Sequence, residues 1–436
     1  YALDANTEGA YMVAIGYQAL SSNTTANNNV ALGYNALLVN TTGGSNTAVG
    51  TNSMVTNTVG DRNVAVGNGA LYTYNPASNE DSYNTAVGYA ALYLDTTGKQ
   101  NTAVGGEALA ANTTGSYNVA LGYGALQANT TGVDNTGLGE QALKANTTGD
   151  ANTAVGENAL TASTTADANV AIGKNSLVTN TTGKRNVAVG NETLEANTTA
   201  DHNSAFGYRT LEVNTTGHSN TGIGAFALDA NTTAHYNTAL GYAALTTNTT
   251  GTRNTAVGNN ALDQSLTGDD NTALGYHAGY SNTTGHSNVA VGSYALDANT
   301  TAHYNTAIGF QALTANTTGA NNTAVGYNAM VANTTGDQNI AVGKSALSAN
   351  TTGNQNTAIG YNSLLAATTA DSNTVIGYAA GSALTTGYQT VVVGKGALAA
   401  CITGYQNVAI GHWALENYTG SANVAVGNQA LEDCTT

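Results

Sequence analysis

One pentapeptide, Asn-(Thr/Val)-Ala-(Val/Ile/Leu)-Gly, recurs from end to end of the chain, and this repeat restricts the fold more than any other feature. Its glycine falls at Gly16, Gly33, Gly50, Gly67, Gly88, Gly105 and onward to Gly427, in 25 copies. Every step is 17 residues except two: 21 from Gly67 to Gly88, and 16 from Gly411 to Gly427. The full unit reads N-T-A-V-G-Y-x-A-L-x-A-N-T-T-G-x-x. A period this short cannot hold a helix pair or a propeller blade, which take roughly 30 to 50 residues. Asn and Gly, both poor helix formers, hold fixed places in the unit. The Asn-x-Ala-x-Gly run alternates residue by residue, as a strand does. The N-T-T-G run and the two variable residues after it read as a turn. Each unit is therefore expected to be one coil of an all-β parallel β-solenoid (a β-helix or β-roll). Coils stack about 4.8 Å apart, so the array predicts a rod on the order of 120 Å long.

In such a stack each repeat position becomes a column. The residue before the motif glycine is apolar in all 25 units, and the residue two before it is Ala in 21. The motif Asn is replaced only at Met12 and Thr390. The position four after the glycine is Leu in 21 units, with Met54, Met330, Gly279 and Gly381 departing. Columns this uniform predict one cross-section throughout, with side-chain amides bonding to the copies above and below. The unbroken period predicts a single array over 1–436, with a four-residue insertion within 68–83.

Composition narrows the function classes. Only 8 % of the 436 residues are charged, against about 25 % in ordinary soluble domains. The net charge is −16 with ten basic residues, which leaves no basic track for nucleic acid and disfavours an anionic membrane surface. No stretch of about 20 apolar residues is present to insert in a membrane, and no signal peptide is visible. The chain begins at Tyr1 and stops at Thr436 in mid-unit, without capping sequence, so the ends are expected either to continue into a longer protein or to stack on other copies.

Cys401 and Cys434 share a column two coils apart, roughly 9.6 Å along the stack. That exceeds the reach of a disulfide, about 7 Å between Cα atoms. They are expected to be small buried fillers or links to another chain.

The segments Val13-Ala14-Ile15-Gly16, Asn169-Val170-Ala171-Ile172-Gly173 and Asn407-Val408-Ala409-Ile410-Gly411 resemble the head repeats of trimeric autotransporter adhesins. Related repeats occur in bacteriophage tail fibres and large bacterial surface proteins. The resemblance implies a left-handed parallel β-roll, three chains packed together, surface display, and binding to host matrix or cells. Those heads use a shorter unit. Alternation along the strand bears separately on self-association. The Asn, Ala and Gly columns share one face, and the Thr/Val and Val/Ile/Leu columns share the other. If the Ala face points inward, a long apolar stripe is left outside and calls for a second chain. If the Val/Ile/Leu face points inward, a monomer suffices.

Several columns hold candidate sites. Asn-Thr-Thr triplets at Asn23, Asn40, Asn112, Asn129, Asn146, Asn180, Asn197, Asn214, Asn231, Asn248, Asn282, Asn299, Asn316, Asn333 and Asn350 match the N-glycosylation acceptor pattern. The structural alternative is an Asn that turns the corner beside strand-favouring Thr. Paired Thr residues suggest an ice-binding array, although adjacent positions put only one of each pair on a face. His218 with His235, and His286 with His303, fall on successive coils, without further ligands to complete a metal set. The insertion, Leu71 to Asp81, carries the only proline and is the best candidate for an inter-chain contact, through Tyr74 and Pro76, alongside the two cysteines. A tyrosine column follows the motif glycine (Tyr17, Tyr34, Tyr89, Tyr123 and others), exposed and suited to a sugar or a subunit. No unit departs from the pattern to build a pocket, and no catalytic, cofactor or metal site is expected. The reading is a non-enzymatic extracellular structural protein, a filament-forming unit or fibre shaft at a cell or virion surface. Its partner is itself, as end-to-end stacks or lateral oligomers, with a carbohydrate- or host-binding adhesin and an ice-binding solenoid as the alternatives.

Overall fold

A computed structural model describes residues 1–432. The fold is the all-β parallel β-solenoid that the repeat predicts, with 17 residues per turn and no helix among the described residues. Two compact units divide the chain, Tyr1–Ser219 and Asn220–Thr436. The first holds β1 (Val13–Ile15) through β12 (Ser204–Phe206), and the second β13 (Thr221–Ile223) through β25 (Val424–Val426). Each coil contributes one strand of three residues. In the first unit like residues pair in register, Val13 with Val30, Ala14 with Ala31, Ile15 with Leu32. The insertion leaves this register intact, with Val64 opposite Thr85. In the second unit Thr221 pairs with Thr238, and the one-residue deletion leaves Val408 opposite Val424. Both length changes are absorbed in corners, where no strand register is at stake.

Two backbone features keep the strand to three residues. At its end stands the motif glycine, with φ between +128° and +144° across the chain. L-residues avoid that region. Gly156 is also pressed against the next coil: a Cβ there would lie 2.7 Å from the carbonyl of Gly173. Just before the strand's Asn stands a residue in the left-handed region, such as Ala151 at φ 57°. Two further left-handed positions follow each strand, as at Gln141 (φ 57°) and Leu143 (φ 54°). A leucine in that region costs roughly 1–2 kcal/mol. Full burial of its side chain contributes roughly 1.5–3 kcal/mol, and its N–H donates to the Ala159 carbonyl of the next coil at 3.0 Å. Burial and hydrogen bond together outweigh the strain. The corners thus hydrogen-bond from coil to coil as the strands do, for example Leu296 N–H to the Ala312 carbonyl at 2.9 Å.

Of the two orientations the alternation allows, the Ala face points inward. Ala31, Ala86, Ala171 and Ala307 in the strands are fully buried, as are Leu37, Leu143 and Leu313 in the corners. The Val/Ile/Leu column is turned to solvent, with Ile15 59 %, Leu121 50 % and Leu274 48 % exposed. The interior is narrow, which is why alanine and asparagine, rather than aromatic residues, fill most of it.

Gly156→Ala should destabilise its coil by about 2–3 kcal/mol, from the forbidden φ and the contact with Gly173 together. Gly106→Ala should stay within about 0.5 kcal/mol, because its Cβ would meet nothing closer than the Tyr123 ring at 3.5 Å and Ala225 fills the same column. Hydrogen-exchange protection of the neighbouring strands reads both. Equal protection in the two variants would refute the close-packing account.

Candidate functional site

Fifteen Asn-Thr-Thr corners carry the glycosylation acceptor pattern. All fifteen asparagines, Asn23 through Asn350, lie in the interior with at most 1 % of their surface exposed. Asn146 Nδ2 donates to Asn129 Oδ1 of the preceding coil (2.8 Å) and to the Gly149 carbonyl (3.0 Å). Asn129 Nδ2 in turn donates to Asn112 Oδ1 at 2.9 Å. A glycan on that nitrogen would break both bonds and would have no exit through the stack, so the glycosylation expectation is corrected: these residues form a buried amide ladder. The motif asparagines form a second one, in which Asn152 N–H donates to Asn135 Oδ1 (3.0 Å) and Asn135 Nδ2 donates to the Gly149 carbonyl (2.8 Å). Buried amides must be paired, and along uninterrupted stretches the two ladders pair both amides of a coil, as at Asn129 and Asn135. Where the first ladder is interrupted by Ser163, Ser265 or Ala367, the Oδ1 of the preceding Asn146, Asn248 or Asn350 has no partner. Of each Thr pair, the first hydroxyl is used within the stack, as Thr130 Oγ1 donating to the Thr147 carbonyl at 2.9 Å. The second Thr is exposed.

The expected inter-chain contacts are also corrected. Tyr74 and Pro76 are buried, because Tyr74 fills the ladder position that Asn57 holds one coil earlier and the proline packs beneath the loop. The outward residues of the insertion are Asn75, Ala77, Ser78, Asn79 and Asp81. The loop is clamped by ion pairs of Arg62 with Asp81 and of Lys99 with Glu80 (2.7 Å). Cys401 occupies the same ladder column, fully buried, and its thiol is pushed up by that burial. It is the filler, not the link. Cys434 lies outside the described residues.

One coil beyond Tyr74 the ladder position is Asp95, also fully buried. Burial raises its carboxyl to about 7, against which the Gly98 N–H and Asn112 Nδ2 hydrogen bonds act only in part. Its Oδ2 and the Tyr74 hydroxyl are both buried without a partner.

Aromatic residues run along the outside of the corner after the motif glycine. In the first unit Tyr17 and Tyr34 stack at 5.4 Å. In the second, Phe310 stacks on Tyr327 (5.5 Å), and Lys344 lies between Tyr327 and Tyr361, 5.6 and 5.7 Å from their centroids. Tyr361 stacks on Tyr378 at 5.1 Å, and Lys395 continues the series toward Trp413. Most ring faces in this series are therefore covered by another ring or a cation. His286 and His303 stack at 3.8 Å, as their column predicts. Among the described residues, the one group of three potential metal ligands is Glu192, Glu195 and Glu212, and the Arg209 guanidinium already pairs with Glu192 and Glu212.

One feature went unread in the sequence. Around the coils that start at Gly67 and Gly88 the pattern departs far enough to open a cleft, lined by Asn52, Asn68, Gly69, Tyr72, Tyr89, Ala90 and Tyr93. The signal was present in Tyr72 and Tyr93, two tyrosines at a position where neighbouring coils carry Val55, Ala110 and Gln127.

No protein-family profile matches the chain, and no curated protein matches it by sequence.

Asn129→Ala and Thr131→Ala both erase one acceptor triplet, but only the first should destabilise, by about 1–3 kcal/mol, because it leaves buried partners unpaired. Thermal melts of the two variants check this, and equal effects would contradict the ladder. Asp95→Asn should remove a pH dependence. A folded carboxyl near 7 against 3.8 unfolded means the native state binds the extra proton, so stability is greatest below pH 4 and falls as pH rises to 7. The loss amounts to roughly 4 kcal/mol. Hydrogen-exchange protection around Asn112, followed from pH 4 to 8, should decline in the native protein and stay level in the variant.

Proposed function

We propose that the chain is a non-enzymatic structural element of an extracellular fibre or filament, whose copies pack side by side through the outer face of the strands. The observation that carries this reading is the composition of that face. Its two columns, beginning Val13 and Ile15 in the first coil, hold Thr, Ser, Val, Ile, Leu and one Phe, and not a single charge in any of the 25 coils. With strands about 4.8 Å apart, the face covers roughly 600 Å² in each unit, the upper end of what a monomer leaves exposed. That area approaches the roughly 800 Å² per partner of a standard interface. Extended, uncharged and β-branched, such a face is suited to another face like itself. The scarcity of charge and the surface of Thr, Asn, Ser, Gly and Tyr support an extracellular setting, as does the resemblance to adhesin head repeats.

Sedimentation and electron microscopy at micromolar concentration test the reading. The native protein should form oligomers or laterally bundled fibres. Leu121→Lys combined with Leu274→Lys places two charges on the face and should return it to monomers with an unchanged circular dichroism spectrum. A native protein that stays monomeric at the highest soluble concentration would sink the proposal.

A further inference from the structure

We propose that the tyrosine cleft of the first unit binds a neutral carbohydrate. The cleft holds about 290 Å³ and opens on the corner face, away from the strand face invoked above. Its floor is Gly69 and Ala90, in a column where the flanking coils carry the larger Asn52 and Glu107. Its wall is Tyr72 and Tyr93, stacked at 4.9 Å and 17°. A Cβ on Gly69 would come within 3.2 Å of the Tyr93 ring, so the small floor and the large wall go together. A second opening of about 330 Å³ shares Ala90 and Tyr93 and continues along the unit to Glu107 and Gln127, whose side chains hydrogen-bond at 2.6 Å. Together the two form one groove several coils long.

The chemistry of this groove selects its ligand class. Tyr89 is 64 % exposed and stacks on no other ring among the described residues, unlike the covered rings of the second unit. A free aromatic face binds the C–H face of a pyranose ring and keeps its hydroxyl available for hydrogen bonding. Asn52 and Asn68 supply amide donors and acceptors at one end, and Glu107 and Gln127 supply an acceptor and an amide at the other. An apolar surface with a few convergent polar groups is the general form of a small-ligand site. No Lys or Arg lines either opening, and Glu107 repels anions, so phosphorylated and acidic sugars are disfavoured. The length of the groove, spanning coils from Asn52 to Gln127, fits an oligosaccharide better than a single sugar.

Titration calorimetry of the full chain against soluble neutral oligosaccharides tests this, using β-1,4-linked glucose and N-acetylglucosamine tetramers and an α-1,4-linked glucose tetramer. At least one should bind, and Tyr89→Ala should weaken it by about tenfold or more through loss of the free ring face. Ala90→Gln fills the floor while keeping the backbone, since Gln141 holds the same column at φ 57°, and should abolish binding. Tyr361→Ala, in the covered series, should leave binding unchanged. Absence of binding to all three sugars, or binding that survives both cleft variants, would overturn the proposal. Loss of binding in Tyr361→Ala to the same degree would also overturn it, by pointing to the aromatic columns at large. Each variant's oligomeric state is measured in parallel, so failure here is separable from failure of lateral packing.

Discussion

Everything in this fold follows from the close approach of one coil's backbone to the next at the motif glycine. A Cβ on Gly16 would sit 2.3 Å from the Gly33 carbonyl oxygen, and the same contact recurs coil after coil. Such spacing admits only glycine, and the glycine's φ ends the strand after three residues. Short strands force tight corners, and tight corners leave a narrow interior. Within it most coils hold alanine, a single leucine and two amides. Because equivalent residues stack at a fixed spacing, any side chain that suits one coil suits the next, and the columns stay uniform.

The consequence is a partial inversion of the usual distribution of polarity. Asparagine amides lie inside, where each is paired, while valine, isoleucine and leucine lie outside beside threonine. The interior polarity is not a penalty as long as the ladders run unbroken, since each Oδ1 and Nδ2 finds its neighbour. Cost appears only at interruptions, as at Asn146 beneath Ser163. The exterior apolar columns, by contrast, find no partner within one chain, which is the basis for assigning the strand face to packing between copies.

The most individual chemistry gathers near the insertion. Tyr74 and Asp95 replace ladder amides on consecutive coils, while Tyr72 and Tyr93 displace small residues on the outer corner of the same coils. In a repeat whose columns are otherwise conservative in size and polarity, such clustering separates a local task from the task of stacking. The second unit uses its aromatic residues differently, alternating rings and lysines so that each supports its neighbour.

Period, coil length, strand position and the identity of the columns were all legible in the sequence, because a solenoid repeats its constraints as often as its residues. The pairing of the motif asparagines was legible for the same reason. The inward face was not, since strict alternation is symmetric between its two faces. Only the volume available inside a coil of this size chose alanine over valine. Nor was the fate of the Asn-Thr-Thr corner: an acceptor triplet and a buried ladder rung are the same three letters, and closure of the coil put Asn129 in and Thr131 out. The left-handed leucines carry no local signature at all, because leucine adopts that conformation only when burial and a bond to the next coil hold it there. The cleft, finally, depends on residues 17 to 21 positions apart becoming neighbours. The sequence by itself therefore determined which residues stack on which, and the tertiary structure decided which of them face inward, since facing is a matter of volume and not of order.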